Sequence, residues 1–192
     1  MRRASNKFVN SGDPQCQDAL SLLLQCCITS VHMTASFPWE VPSVTLLQQL
    51  TEFPHLTSLN FDGPIPWNSI RTGVADFYKR ISSLSIHSSG YSDSAEVGSL
   101  LQQFQGLSSL NISKCSLREL GVGLFAAMTA LTTLDVSENL LTDLDTGAFS
   151  GLTRLERLYC GRNHGMTALP DTIFDNLPSL QVWQRLQLRL AR

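Results

Sequence analysis

The stretch LTTLDVSENLLTDLDTGAFSGLTR, residues 131–154, decides the fold of this chain. Leu131, Leu134 and Val136 run in the order apolar, two variable, apolar, one variable, apolar. Leu134 and Val136 are two apart, the spacing that puts side chains on one face of an extended strand, while the residues between and after them face the other way. Asn139, Leu141, Leu144, Phe149 and Leu152 follow as a return segment. One strand and one return make one coil.

The same phrase recurs on both sides of this stretch. The copies are Ile28-Val31-Met33, Leu56-Leu59-Phe61, Ile81-Leu84-Ile86, Leu107-Leu110-Ile112, Leu131-Leu134-Val136 and Leu155-Leu158-Cys160, with a degenerate seventh at Leu180-Trp183. Successive starts lie 28, 25, 26, 24, 24 and 25 residues apart. Parallel strands need crossover connections, and roughly 18 residues between one strand and the next suffice to turn back over the core. No single coil can enclose its own leucines, so stability is expected as a sum of neighbour contacts with the end coils weakest.

The pattern LxxLxLxxNxLxxL followed by FxxL resembles the leucine-rich-repeat family, in its 24-residue subtype with a phenylalanine on the return side. The resemblance covers roughly Ile28 to Leu180. It implies an α/β fold, a leucine-rich-repeat solenoid with a curved parallel sheet on the concave side and short helices or irregular segments on the convex side. It also implies a protein-binding module, in the manner of recognition ectodomains or receptor fragments.

Several places depart from the pattern. The family's turn asparagine, which satisfies backbone groups after each strand, is present only as Asn139 and Asn163. Ser36, Ser89 and Cys115 take that place elsewhere, and a hydroxyl or thiol partly replaces the amide; Pro64, which cannot donate, takes it in the copy starting at Leu56. The segment DGPIPWNSIRTGVADFYKR, residues 62–80, is thus expected to be the least regular coil, with Trp67, Ile70, Val74 and Phe77 packing inward.

Some return segments carry helical spacing. Ser43 can cap a stretch with Leu46, Leu47, Leu50 and Phe53 on one face, and Val97, Leu100, Leu101 and Phe104 repeat that spacing behind Asp93 and Glu96, a capping-box pair. Pro14 after Asp13 opens a helix that aligns Ala19, Leu22, Leu23 and Cys26. The expected organisation is a disordered segment over 1–12, a helix over 13–27, repeats over 28–182 and a degenerate end over 183–192. The helix either caps the solenoid or stands detached as an amphipathic helix. At the far end Arg185 replaces a strand leucine, while Leu186, Leu188 and Leu190 alternate with polar residues. No terminal cysteine cluster closes this end, so the chain is a fragment of a longer array or this edge pairs with something.

Of the 192 residues 43% are apolar and 16% charged, as one folded domain requires, and the net charge of -2 offers no basic field for nucleic acid. The longest apolar runs, such as 22–24 and 121–128, fall far short of the roughly 18 to 20 residues that span a bilayer, so no membrane insertion is expected. Arg2, Arg3 and Lys7 have no apolar run behind them, so the start is not a secretory leader and the chain as given is expected in the cytoplasm. A piece missing its natural start would be extracellular.

No GxxxxGK, HExxH or GxSxG motif occurs, and His32, His55, His87 and His164 are scattered over different coils. No catalytic residue, cofactor or metal is assigned, and the chain is not expected to be an enzyme. The five cysteines have no CxxC spacing. Cys160 takes a strand core position and Cys115 the turn position, both suited to small buried residues. One strand between their coils puts their backbones about 9 to 10 Å apart, too far for a disulfide. Cys16 and Cys26 lie roughly 15 Å apart along the first helix, which leaves only Cys27 a candidate for pairing. The triplet Asn111-Ile112-Ser113 is of glycosylation type but lies inside a strand, with Asn111 on the concave face, and is expected to be unused.

Side chains between the strand leucines line up in columns across the concave sheet and are not needed for the core. The central column is Asn60, Ser85, Asn111, Asp135 and Tyr159, with His87, Lys114, Glu138, Arg157 and Arg162 beside it. Interface hot spots favour Trp, Tyr and Arg, so Tyr159 flanked by Arg157 and Arg162 is the expected centre of a partner-binding face that includes Asp135, Glu138, Asn111, Lys114 and His87. Against this, Lys114, Glu138 and Arg162 share one column and can form a solvated ladder of small energetic value. The alternatives to a recognition module are an intracellular adaptor or substrate-recognition arm, and a structural subunit that self-associates through its uncapped end.

Overall fold

The structure, a computed structural model, describes residues 7–8, 29–34, 50–51, 53–63, 75–87 and 94–184. Among the described residues eight strands form one sheet, ordered as they occur in the chain and parallel at every pairing. They are β1 (Lys7–Phe8), β2 (Ser30–Thr34), β3 (Ser58–Asp62), β4 (Ser83–His87), β5 (Ser109–Asn111), β6 (Thr133–Asp135), β7 (Arg157–Tyr159) and β8 (Val182–Gln184). Leu59, Leu84, Leu110, Leu134, Leu158 and Trp183 stand side by side in register. The leucines of that row are the repeat of the sequence turned into a wall of the core.

β1 lies within the amino-terminal segment for which no structure was expected. Lys7 and Phe8 pair with His32 and Met33. Such an edge strand gains its place from main-chain hydrogen bonds, which need no leucine pattern and leave no trace in the periodicity. The expected helix over 13–27, Cys16, Cys26 and Cys27, the turn residues Ser36, Pro64 and Ser89, and the stretch 185–192 lie outside the described residues.

Successive coils are tied by the same bond each time. The amides of Ser58, Ser83, Ser109, Thr133, Arg157 and Val182 donate to the carbonyls of Thr29, Thr57, Ser82, Ser108, Thr132 and Glu156, at 2.9 to 3.1 Å. A hydroxyl ladder runs along this side of the sheet. Thr57 Oγ1, Ser82 Oγ, Ser108 Oγ and Thr132 Oγ1 each donate to the carbonyl of the matching residue one coil back. A short hydroxyl reaches that carbonyl only because strands stack about 4.8 Å apart. The ladder stops at Glu156, whose side chain carries no hydroxyl.

The core fills the space between sheet and return segments. Leu107, Leu110, Leu131, Leu134, Leu155 and Leu158 have no exposed surface, and each such leucine contributes about 1.5 to 3 kcal/mol of burial. The return side is built on an aromatic followed by a tight turn. The amides of Leu56, Leu107, Met128, Leu152 and Leu177 donate to the carbonyls of Phe53, Phe104, Phe125, Phe149 and Phe174, three residues earlier. Phe125 and Phe149 stack with ring centres 6.4 Å apart.

Two returns contain helices, α1 (Ala75–Arg80) and α2 (Ser94–Leu101). α2 matches the helical spacing noted around Val97 and Leu101, both buried. α1 falls in the segment expected to be least regular. Its Phe77 is buried as expected, and Tyr78 is buried beside it, edge-on to both Phe77 and Phe104. Arg80 ties α1 to the preceding coil by donating to the carbonyls of Pro54 and Thr51. Gly106 closes the coil after α2, where a Cβ would lie 2.3 Å from the Lys79 carbonyl oxygen.

Candidate functional site

The concave face begins with its supports. Lys114, Glu138 and Arg162 all have φ between 55° and 59°, a left-handed conformation that turns the chain sharply after each strand. The next residue closes the turn. Asn139 Oδ1 accepts from the amides of Cys115 and Leu117, while its Nδ2 donates to the carbonyls of Ile112, Val136 and Ser137. Asn163 repeats this one coil on, accepting from Leu141 N and donating to the carbonyls of Val136 and Cys160. Both asparagines are buried, and both ends of each amide are used. At the equivalent place Cys115 donates its Sγ–H to the Ile86 carbonyl at 3.2 Å, so the thiol replaces the amide's donor function. Cys115 and Cys160 are both buried. Burial, reinforced by the nearby Asp135 carboxylate, pushes the Cys160 thiol up to about 11.

These turns present the side chains that the repeat pattern singles out. Asn111, Asp135 and Tyr159 are register partners on β5, β6 and β7. Asn111 and Asp135 are committed to their own turns, since the Ser113 amide donates to Asn111 Oδ1 and the Ser137 amide and hydroxyl donate to Asp135 Oδ1. Tyr159 is half-buried, and its side chain has no polar partner among the described residues. Arg157 is held in place, donating from Nε and Nη2 to Thr133 Oγ1 at 3.0 and 2.8 Å and pairing with Glu156 at 3.4 Å.

Lys114, Glu138 and Arg162 do form a ladder. Glu138 sits between the two cations, 3.2 Å from Arg162 and 3.9 Å from Lys114. Exposed pairs of this kind contribute little, about 0 to 1 kcal/mol each. Their effect is to fix three long side chains along one rim of the face. Val182, in register with Arg157, is 48% exposed and adds an apolar edge beside the cation. Its place past a degenerate repeat gave no signal of this in the sequence.

Seven of the expected residues, Arg157, Tyr159, Arg162, Asp135, Glu138, Asn111 and Lys114, therefore sit together on three consecutive coils. His87 does not join them. It faces β3, where its Nδ1 lies 3.2 Å from Asp62 Oδ1, while His32 Nε2 lies 3.3 Å from Asp62 Oδ2. The histidines are on different coils, but the coils are neighbours, and one carboxylate joins two of them. Residues 55 apart in sequence meet because β3 alone separates their strands. A histidine two strands from another, with an acid between that is in register with one and two places along from the other, is the signal that finds such a cluster. Among the described residues no group of three or more His, Cys, Asp or Glu side chains is placed to hold a metal ion, and no helix is long and apolar enough to cross a membrane.

Residues 105–164 match the family model described as leucine rich repeat. No curated protein matches the sequence. Among solved structures, a chain of the Toll–Spatzle complex, a molecular hub in Drosophila development and innate immunity, superposes with a TM-score of 0.56 and 17% identity. That match covers 79% of this chain and 22% of the other. A chain of a TLR13–ssRNA13 complex superposes with a TM-score of 0.58 and 24% identity, covering 82% of this chain and 22% of its own length. This chain thus spans about a fifth of each of those chains, and the likeness is one of fold. The chain is a leucine-rich-repeat solenoid.

Proposed function

We propose that this chain is a non-catalytic recognition module, one part of a longer receptor-like array, and that it binds a protein on the concave face of the coils carrying β5 to β8. The observation that carries the reading is Tyr159. It is a large amphipathic side chain without a polar partner among the described residues, surrounded by side chains that are already fixed. Arg157 is clamped on Thr133 and Glu156, and Asp135 is spent on its turn. A rigid surround around one unengaged aromatic lowers the ordering cost of binding and is the setting in which Tyr and Arg become anchors. Val182 supplies apolar area next to it.

A protein suits this face better than a nucleic acid. Arg157, Arg162 and Lys114 each stand against a carboxylate, Glu156 or Glu138, so the described residues of this face offer no run of unpaired cations to a phosphate backbone. One of the similar solved chains comes from a complex with Spatzle and another from a complex with ssRNA13, so the two ligand classes are to be tested side by side.

The test uses the whole chain as bait, isolates the protein it retains, and measures the affinity directly by calorimetry. The double substitution Tyr159→Ala with Arg157→Ala is expected to weaken binding by about 30-fold or more, as loss of a hot spot of ~2 kcal/mol requires. Val122→Ala, on the return side, leaves it unchanged. An unaltered affinity in the double variant rejects the site. Salt-dependent binding of single-stranded RNA in preference to the captured protein rejects the ligand class.

A further inference from the structure

We propose that Asn60, His32, Asp62 and His87 form a proton-driven switch across β2, β3 and β4, in which proton uptake by His32 turns over the side-chain amide of Asn60. The donor and acceptor roles in the chain of contacts lead to this. Asn60 Nδ2 lies 2.9 Å from His32 Nδ1. An amide nitrogen only donates, so that ring nitrogen accepts and the ring proton sits on Nε2. His32 Nε2 lies 3.3 Å from Asp62 Oδ2, and His87 Nδ1 lies 3.2 Å from Asp62 Oδ1.

One atom is left out. Asn60 Oδ1 is buried and has no hydrogen-bond partner. When His32 takes up a proton, both ring nitrogens carry hydrogen, and Nδ1–H faces the Asn60 amino group donor to donor. Rotation of the amide by half a turn removes this conflict. Oδ1 then accepts from the imidazolium, a charge-assisted bond stronger than the neutral one it replaces, and the amino group moves to the place the unpartnered oxygen held. The orientation of Asn60 thus records the protonation state of His32.

The flanking strands bring one fixed charge into register with the cluster. β1 places Lys7 in register with His32. β4 places Ser85 in register with Asn60, and β5 places Asn111 next to Ser85, neither of them charged. Lys114, beyond β5, is paired with Glu138. His32, Asp62 and His87 keep 40%, 47% and 28% of their side-chain surface exposed, so solvent protons reach them. The concave face at β2 to β4 therefore exchanges an amide donor for an acceptor when His32 takes up a proton, independently of what binds at β5 to β8.

The test is heteronuclear NMR of the labelled full chain across the imidazole range, roughly pH 5 to 8, following the ring nitrogens of His32 and the side-chain amide of Asn60. The Asn60 amide signals are expected to move with the same midpoint as the His32 ring. That response persists in His87→Gln and is lost in His32→Gln, while His87 still titrates there. Asn60 signals that stay constant through the His32 titration overturn the proposal, as does an undiminished response in His32→Gln. If His32→Gln fails to fold, the coincidence of midpoints in the unaltered chain and in His87→Gln decides the matter alone.

Discussion

The coils from Leu107 onward and those before it share one sheet but are closed differently. In the later coils the return segments are runs of tight turns, and buried Asn139 and Asn163 each satisfy backbone groups of two coils at once. In the earlier ones the described returns include α1 and α2, and the aromatic contact runs from Phe77 through Tyr78 to Phe104. Where the return runs in turns, its backbone groups need a side chain that both donates and accepts. Where it forms a helix, helical hydrogen bonds satisfy the backbone internally. The concave faces differ accordingly. The later coils display charged side chains held on regular turns, and the earlier ones display the hydroxyls of Ser58, Ser83 and Ser85 around the histidine cluster.

Substitutions separate these two ways of closing a coil. The largest loss is expected from Phe149→Ala, which empties a fully buried ring site that stacks on Phe125. About 4 kcal/mol should be lost in urea unfolding, and a loss below ~1 kcal/mol would show that the phenylalanine column is not what closes the later coils. Asn139→Ala leaves the amides of Cys115 and Leu117 and the carbonyl of Ile112 without this partner. The cost is expected at about 3 kcal/mol, read from the same unfolding curves.

A third test is by pH. The Cys160 thiol, pushed from its ordinary 9.0 to about 11, keeps its proton in the folded chain after the unfolded chain has lost it. The raised value of an acid stabilises the fold below pH 9 and is lost as pH rises from 9 towards 11. About 2 kcal/mol should disappear across that window in the unaltered chain relative to Cys160→Ala. Matching curves for the two proteins would contradict the burial of that thiol. The smallest effect is expected from Cys115→Ala, where a single weak thiol donor to the Ile86 carbonyl is removed. A loss of about 1 kcal/mol or less, well under that of Asn139→Ala, would confirm that cysteine only partly replaces asparagine at the boundary between the two regions.

Much of the candidate site is legible in the sequence. The columns through Asn111, Asp135 and Tyr159 and through Lys114, Glu138 and Arg162 follow from counting along the repeat, because a residue at a fixed place in each coil meets its counterpart in the next. The hydroxyl ladder of Thr57, Ser82, Ser108 and Thr132 was equally countable, but serine and threonine occur so widely that their period does not stand out. The meeting of His32, Asp62 and His87 was less accessible. His32 stands two places before Asp62 in the strand register, and only a diagonal reach between side chains joins them.

The sequence by itself determined the parallel stack, the leucine row and the residues that face the concave side. These follow from a period of two within a strand and about 25 between strands, which are local properties repeated until they become global. The tertiary structure decided the partners of the polar groups: Arg157 clamped on Thr133, Glu138 held between two cations, Asp62 shared by two imidazoles, and Cys115 bonded to the Ile86 carbonyl. A hydrogen bond depends on tenths of an ångström and on one rotamer among several, and neither is fixed until the neighbouring coil is in place.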